Sequence, residues 1–510
     1  MAPRFARALR SGESAEFRYR SPVLWTGSFT TYFSVSYANA EDNKLSGSRI
    51  VNFDKISLNH ALAETQQAIP CYACRNTSLR FAPSPEIMER SVEAFGKARI
   101  IRAFITLDEF WDYRDNTYHP NYRIGYNRYR ENDLIHKYDR HRSRESQVLF
   151  QDYLKAVSQS TDEVLLCFRR YEHEVKGGLI STRQYEKVLR EAITLVAQQI
   201  PNLRYIEVCN EWRNNHFGGL SEEQYHLLFR LSRSLIDELN NEQLTKVPLL
   251  LGGPSVDTSQ YSGVNIFLKG NESAAPMSPY VDFISYHDYS CGKEPVLIRQ
   301  KLQQVRAWMR EAGLKDQTPI FLTECGTAEG KEGGNRQMAS GVIALLDEAS
   351  LSNTGADVFP WCIYHDPGVQ MWSTQILPDG SLSAYGAALS LLNRHSGKRL
   401  AINSPGLRSN GTGLRAIVSY DKAADSVLFQ LINYDDESAE VSIPLSDLSE
   451  MSGVEAKIEE IRMVVDEKEI AGYLAPVGKL TSRSASVSNK TLQARIEPFE
   501  TMAWKIAARF

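Results

Sequence analysis

From about residue 84 the apolar positions fall into two alternating rhythms. Segments with apolar residues at every third or fourth position predict amphipathic helices over 84–98, 145–159, 181–199, 221–240, 261–269, 295–313, 336–350 and 383–394. Between them, short continuous apolar runs predict buried strands over 99–106, 163–169, 205–210, 248–252, 281–287, 319–324 and 357–364. Helix starts are marked by Ser84-Pro85 and by Ser221 followed by Glu222 and Glu223, acidic residues that suit a helix N-terminus. Alternation of this kind builds βα units around a parallel sheet. Seven strands are visible, and an eighth over 55–62 would complete a (β/α)8 TIM barrel. The alternative is an open doubly wound sheet, but no G-x-G-x-x-G or G-x-x-x-x-G-K-[ST] follows any strand, so the nucleotide sites common on such sheets are not visible.

Beyond Gly397 the rhythm changes to short alternating strands with turn signals between them, over 415–420, 426–434, 440–443, 457–464, 491–496 and 501–506. This pattern predicts an accessory antiparallel β-sandwich domain. Near the N-terminus, 15–34 is also strand-like, with Phe17, Tyr19, Val23 and Trp25 on odd positions. The domain reading is therefore N-terminal strands over 1–45 joining the sandwich, a catalytic barrel over 46–396, and the β-sandwich over 397–510.

Two strand ends carry candidate chemistry. In Tyr205-Ile206-Glu207-Val208-Cys209-Asn210-Glu211-Trp212 an apolar run opens onto an Asn-Glu pair, and Pro319-Ile320-Phe321-Leu322-Thr323-Glu324 ends in a second glutamate. A carboxylic acid at the end of a buried, rigid strand is kept from bulk water, and its raised pKa suits a general acid. In a barrel the C-terminal strand ends converge, so Glu211 and Glu324 could meet although far apart in sequence. A pair of carboxyls about 5 to 5.5 Å apart is what retaining glycoside hydrolysis requires. Other strand ends support the pair. His287 and Tyr289 could hydrogen-bond the nucleophile, Trp361 offers an aromatic face to a sugar ring, and Arg102, buried inside a strand, needs a carboxylate partner such as Glu324.

Each of these residues has a plainer reading. A lone strand-end glutamate more often caps or pairs, His287 alone would be a satisfied core histidine, and Trp361 alone a packing residue. Taken in order along the barrel, Asn-Glu, His-x-Tyr, Glu and Trp favour the catalytic reading. Glu207 reads as structural from its place in the strand's two-residue period. Asp108, Glu109, Asp112 and Glu329 are loop acids that could serve instead.

At these residues the chain resembles retaining glycoside hydrolases of the large (β/α)8 clan A, and most closely family 39, whose members include β-xylosidases and α-L-iduronidases. The resemblance covers roughly residues 85–395. Where those enzymes carry E-V-W-N-E-P-N, this chain has Glu207-Val208-Cys209-Asn210-Glu211-Trp212-Arg213-Asn214. The resemblance implies Glu211 as acid/base, Asn210 as a ligand of the sugar 2-hydroxyl, and Glu324, in Leu322-Thr323-Glu324, as nucleophile. It also matches Asp282 to His287 to the sixth strand. Three departures alter the sugar contacts: Trp212 stands in place of proline, Cys325 in place of tryptophan, and Phe104, after Arg102-Ala103, in place of a sugar-binding histidine. The expected activity is hydrolysis of O-glycosidic bonds of an oligosaccharide or polysaccharide, with no metal or organic cofactor. An endo-acting hydrolase of an acidic bacterial polysaccharide is the alternative within the class, and a noncatalytic carbohydrate-binding protein on a barrel scaffold the alternative outside it.

Composition narrows the partners. The chain has 510 residues, 42% of them hydrophobic, enough to bury a large core and more than one domain. A formal charge of −4 carries no basic footprint for nucleic acid or an anionic membrane, and no apolar run is long enough to span a bilayer. The N-terminus, Met1 to Arg7, lacks the apolar stretch of a secretory signal, which predicts a cytoplasmic protein. Seven cysteines cannot all pair, and Cys167, Cys209, Cys325 and Cys362 lie in or beside apolar strands, where a free thiol behaves as a small hydrophobe. Cys71-x-x-Cys74 has no second pair at zinc spacing and is read as structural. The sequons at Asn76, Asn271, Asn410 and Asn489 are read as chance matches without a signal peptide. The loop 110–144 interleaves Tyr113, Tyr118, Tyr122, Tyr126, Tyr129 and Tyr138 with Arg114, Arg123, Arg128, Arg130, Arg140 and Arg142. It reads equally as a substrate wall over the barrel mouth or as a subunit contact in a homo-oligomer.

Overall fold

The computed structural model describes residues 49–52, 67–78, 82–124, 148–215, 217–290, 294–326, 334–365, 374–401, 413–444, 457–485, 487–488 and 491–507. Eight parallel strands among them form a (β/α)8 barrel: β1 (Cys74–Asn76), β2 (Ala98–Thr106), β3 (Thr161–Arg169), β4 (Leu203–Val208), β5 (Leu250–Val256), β6 (Phe283–Asp288), β7 (Ile320–Cys325) and β8 (Asp357–Pro360). Neighbours in sequence are neighbours in the sheet, from β1 to β8. The Ile363 amide, just past β8, donates to the Asn76 carbonyl of β1 at 2.8 Å and draws the two edges together. The first strand is thus Cys74–Asn76; the segment expected to supply it, 55–62, lies outside the described residues.

Eight helices follow the strands in turn: α1 (Pro85–Phe95), α2 (Phe150–Gln159), α3 (Thr182–Gln199), α4 (Glu222–Asn241), α5 (Gly263–Lys269), α6 (Val296–Glu311), α7 (Gly334–Leu351) and α8 (Ala384–Leu392). Local chemistry sets where they start. Ser181 and Ser221 each close a reciprocal capping box with Gln184 and Gln224, satisfying amide groups that the first turn leaves open. No helix of the described residues is long and apolar enough to cross a membrane.

The barrel interior is layered by the two-residue period of its strands. Its lower layer is apolar, with Ile100, Leu165, Tyr205, Phe283, Phe321 and Phe359 packed together. Gly252 belongs to this arrangement, because a Cβ there would come 2.3 Å from the Phe283 ring. One step up the strands stand Asn76, Arg102, Cys167, Glu207, Ser285 and Thr323, all buried and mostly polar. A polar middle layer is costly unless its members pair with each other, and their pairing builds the floor of the site described below.

The described chain from Lys398 on is a two-sheet antiparallel β-sandwich. A six-stranded sheet runs in the order Lys398–Arg399, Gly413–Asp421, Ser426–Tyr434, Thr501–Ala507, Lys457–Ile470, Tyr473–Ser484. The facing sheet contains Ala439–Pro444, Thr491–Ile496 and Val487–Ser488, with Arg49–Asn52 pairing in parallel on Ala439–Pro444. Leu414, Val418, Phe429, Val441, Ile443, Ile496 and Trp504 fill the space between the sheets. On its other face the larger sheet meets the barrel, where Leu428, Ile461 and Ala503 pack on Leu391 of α8. Gly478 lies so close to α8 that a Cβ would sit 2.6 Å from that of Ala387. Arg399 and Arg415 bond Asp347 of α7 at 2.6 and 3.3 Å, and Arg415 also pairs with Glu348.

The strand-like segment 15–34 lies outside the described residues, as do Tyr126, Tyr129, Tyr138 and their neighbouring arginines. In the described part of that loop Tyr122 is buried and stacks on Phe150 at 4.7 Å, while Tyr113 meets Tyr171 edge-on at 5.8 Å. Tyr122 is therefore a packing residue rather than part of a wall open to substrate.

Candidate active site

Backbone geometry picks out the C-terminal mouth of the barrel. Arg170 and Tyr171 after β3, Cys209 and Glu211 after β4, and Ser255 in β5 all have φ between 49 and 81°. Side chains with a Cβ rarely adopt this region, and such strain gathers where structure must aim functional groups. The turn at Cys209 and Glu211 is held by the Glu211 amide, which donates to the Ser255 carbonyl at 2.9 Å. Behind it, Trp212 is buried, stacks on Tyr225 at 4.2 Å and donates its indole N–H to the Pro254 carbonyl at 2.9 Å. Trp212 thereby does by packing what a rigid residue would do by its backbone.

These constraints bring the two glutamates together. One carboxylate oxygen of Glu211, one of Glu324 and a ring nitrogen of His287 all lie within 4.8 Å of one another. His287 stands between the acids: Nδ1 is 2.8 Å from Glu211 Oε1, and Nε2 is 3.1 Å from Ser255 Oγ and 3.6 Å from Glu324 Oε1. Burial lowers the His287 pKa below its ordinary value, with the Glu324 carboxylate pulling the other way. The neutral ring has Arg102 Nη2 3.5 Å from Nε2, and a guanidinium can only donate. These neighbours assign the imidazole proton to Nδ1, donating to Glu211 Oε1. A proton on Glu211 is then left to Oε2.

Glu324 is held from both sides. Arg102 Nη1 donates to Oε1 at 2.6 Å, and the Tyr289 hydroxyl donates to Oε2 at 3.0 Å. Arg102 lies wholly buried beneath the carboxylates, with further donors on Glu207, on Asn210 Oδ1 at 2.9 Å and on Ser255. It forms part of the floor and has no open face for a ligand. Asn210 is likewise buried, and its Nδ2 donates to no group among the described residues. Trp361, Phe104 and Tyr289 pack together as one aromatic edge of the mouth, with Phe104 under the Arg102 guanidinium at 4.5 Å. Of the alternative loop acids, Asp108 and Glu109 are buried after β2, and Glu329 lies outside the described residues.

Several contributors carried no motif. Ser255, Asp257 and Thr323 are small polar residues at strand ends, and only their position relative to the barrel identifies them. Glu207 did carry a signal, an acid inside an otherwise apolar strand. Its carboxylate faces the barrel interior and receives two donors from Arg102.

Burial pushes the Glu211 carboxyl up to about 8, with the Asp257 carboxylate adding to the rise and Arg102 and Arg169 opposing it. Glu211 is therefore protonated at neutral pH, as a proton donor must be. A carboxyl raised on folding contributes its full share of stability below its ordinary value of 4.5. That share is lost as pH rises towards 8, because the unfolded chain releases the proton first. Glu211→Gln, which cannot ionise, is accordingly expected to match the parent in stability near pH 4.5 and to exceed it by roughly 4 kcal/mol near pH 8. Thermal melts of both proteins across that range check this, and a difference independent of pH would show that Glu211 is not the group that titrates.

Glu211, His287 and Glu324 are also the described residues whose spacing could hold a metal ion. Their donors are already engaged, since Arg102 occupies Glu324 Oε1 and both imidazole nitrogens have partners. A cation here would have to displace the guanidinium. Beside the site, a recess at the ends of β2 and β3 is lined by Asp108, Arg169, Arg170, Glu172, Glu174 and Phe217.

No protein-family model matches the chain, and no curated protein matches it in sequence. Solved structures do match in fold. An α-L-arabinofuranosidase from Thermotoga maritima aligns over 89% of this chain and 98% of its own, with 14% identity and a TM-score of 0.55. A glucosidase from Croceicoccus marinus aligns over 90% and 99%, with 12% identity and a TM-score of 0.54. A monomeric β-xylosidase from Caulobacter crescentus aligns over 91% and 100%, with 11% identity and a TM-score of 0.53. At these identities the likeness is one of architecture, a (β/α)8 barrel with an accessory β-sandwich spanning nearly the whole of each chain.

Proposed function

We propose that the chain is a retaining glycoside hydrolase acting on an oligosaccharide or polysaccharide, with Glu324 as nucleophile and Glu211 as acid/base. The observation that carries this reading is the pair of carboxyls at the barrel mouth, with oxygens within 4.8 Å, one acid protonated by burial and the other clamped by Arg102 and Tyr289. Carboxyls whose oxygens approach this closely suit direct attack by one of them, whereas an inverting enzyme holds its acids about 6.5 to 9.5 Å apart to admit a water.

In the first step a Glu324 oxygen bonds to the anomeric carbon as the glycosidic C–O bond breaks, and the proton on Glu211 passes to the leaving oxygen. In the second, Glu211, now a carboxylate, takes a proton from water as the water oxygen bonds to the anomeric carbon and Glu324 departs. His287 orients Glu211 through Oε1, so that the transferable proton points from Oε2. Asn210 Nδ2 is a donor available to a sugar hydroxyl, and Trp361 with Tyr289 supplies an apolar surface for the ring. The fold neighbours, an arabinofuranosidase, a glucosidase and a xylosidase, support a glycoside as substrate.

The first test is a screen of nitrophenyl glycosides with the protein and with Glu324→Ala as blank. Release of nitrophenol by the parent alone is expected for at least one pyranoside or furanoside. Binding of a glycan without hydrolysis of any substrate would instead favour a carbohydrate-binding protein on this scaffold.

A further inference from the structure

We propose that Glu207 is a positioning residue for the nucleophile, clamping the Arg102 guanidinium so that one of its edges is held against Glu324. This rests on the assignment of Glu324 as nucleophile, but the clamp itself stands on contacts within the barrel. Glu207 Oε2 receives both Arg102 Nε at 2.7 Å and Nη2 at 2.5 Å, while Arg102 Nη1 reaches Glu324 Oε1 at 2.6 Å. The guanidinium is planar and rigid, so fixing the Nε–Nη2 edge fixes where Nη1 points. The other oxygen of Glu207 receives the Thr323 hydroxyl at 3.2 Å, and Thr323 is the residue immediately before Glu324. One carboxylate thus ties β2, through Arg102, to β7, which carries the nucleophile.

The electrostatics fit the same role. Arg102 and Glu207 have no exposed surface, and a buried cation shared by two carboxylates must be placed by geometry, since no solvent is there to relax around it. Burial pushes the Glu207 carboxyl up, but the Arg102 charge beside it pulls the other way and the net position is below the ordinary carboxylate value. Glu207 therefore stays ionised through the working range and spends its charge on Arg102, leaving Glu324 less tightly neutralised than a sole partner would be. Facing Glu207 in this layer are Arg102 from β2, Cys167 from β3, Ser285 and His287 from β6 and Thr323 from β7. Arg102 is the one permanent cation among them.

Glu207→Gln keeps the size of the side chain and removes its charge. In its crystal structure the Arg102 guanidinium is expected to have swung off its Nε–Nη2 contact with residue 207, changing the angle at which Nη1 meets Glu324, its one remaining carboxylate partner. On a nitrophenyl glycoside kcat is expected to fall roughly 10- to 100-fold with KM little changed. The alkaline limb of the rate profile, set by Glu211, is expected to move to lower pH, because the Arg102 charge that lowers Glu211 is then less cancelled. A merely structural Glu207 would cost active protein, counted by titration with a fluoroglycoside inactivator, and would leave both kcat per active site and the limb where they were. If Glu207→Gln does not fold, Thr323→Val removes the same carboxylate's tether to β7 with every charge kept, and it should lower kcat while holding KM. Unchanged kcat in the variant that folds overturns the proposal. Should the parent hydrolyse no glycoside, the function reading fails separately, and the position of Arg102 in the variant still decides the clamp: in place, it is overturned.

Discussion

Glu324→Ala is expected to lose turnover on every glycoside that the parent hydrolyses, by roughly 10⁴-fold or more. The reason is that no other group among the described residues can take its place. Arg102 and Tyr289 converge on Glu324 and hold its two oxygens in separate hydrogen bonds, an arrangement that aims one carboxylate and leaves no spare acid beside it. Glu207 is close in sequence terms to the site but lies a layer deeper, with both oxygens engaged. The loss should extend to good and poor leaving groups alike, because both depart only as Glu324 attacks the anomeric carbon. The variant leaves Arg102 with Glu207 as partner, so the fold should survive, and circular dichroism with a thermal melt separates loss of chemistry from loss of structure. A variant that retains a tenth of the parent rate would move the nucleophile elsewhere.

Glu211→Ala is expected to behave differently, and the contrast is the signature of two carboxylates with two roles. Without a proton donor, substrates with poor leaving groups should slow by roughly 10²- to 10⁴-fold, whereas dinitrophenyl glycosides, whose leaving group needs no proton, should still form the glycosyl-enzyme quickly. Hydrolysis of that intermediate then lacks its base. Azide needs no base, fits the space vacated by the side chain, and should restore turnover while accumulating a glycosyl azide of the same anomeric configuration as the substrate. Steady-state rates with and without azide, and the anomeric coupling constant of the product, check both halves. If azide gives no acceleration on an activated substrate, Glu211 is not the acid/base.

How much of this was legible beforehand depended on whether a residue's role was written in a run of neighbours or in its position across the barrel. The apolar runs of β4 and β7 announce buried strands, and a glutamate at or just past the end of each can only lie at the barrel mouth. The alternation of helix and strand likewise leads to the (β/α)8 barrel, and the turn-rich segment after Gly397 to the sandwich. The first barrel strand was not visible, because Cys74–Asn76 is three residues long and has no apolar run; its buried Arg75 instead reaches the carbonyls at the end of α1, Phe95 and Gly96, at 2.9 and 2.6 Å. The strand Tyr473–Ser484 was missed for a similar reason. Its apolar half is interrupted by Pro476 and Gly478 and its second half is polar, and it is held by pairing along its length with Lys457–Ile470 at the edge of a sheet, where a proline is tolerated. Glu207 reads as structural because the two-residue period says which residues share a face but not what stands opposite; Arg102, two strands and 105 residues away, supplies that. Ser255 acts through its hydroxyl on His287 and Arg102, and Asp257 through its charge on Glu211, and nothing in their sequence neighbourhood distinguishes them from ordinary loop residues.

The most direct measurement of the central claim is the stereochemistry of the first product, followed by proton NMR during hydrolysis of an anomerically pure aryl glycoside by the parent protein. Two displacements at one carbon restore the starting configuration, so the account predicts that the anomer appearing first matches the substrate and that the other grows in only at the rate of mutarotation. Initial appearance of the opposite anomer would mean a single displacement by water, and would contradict Glu324 as a nucleophile and the paired carboxyls as a double-displacement site.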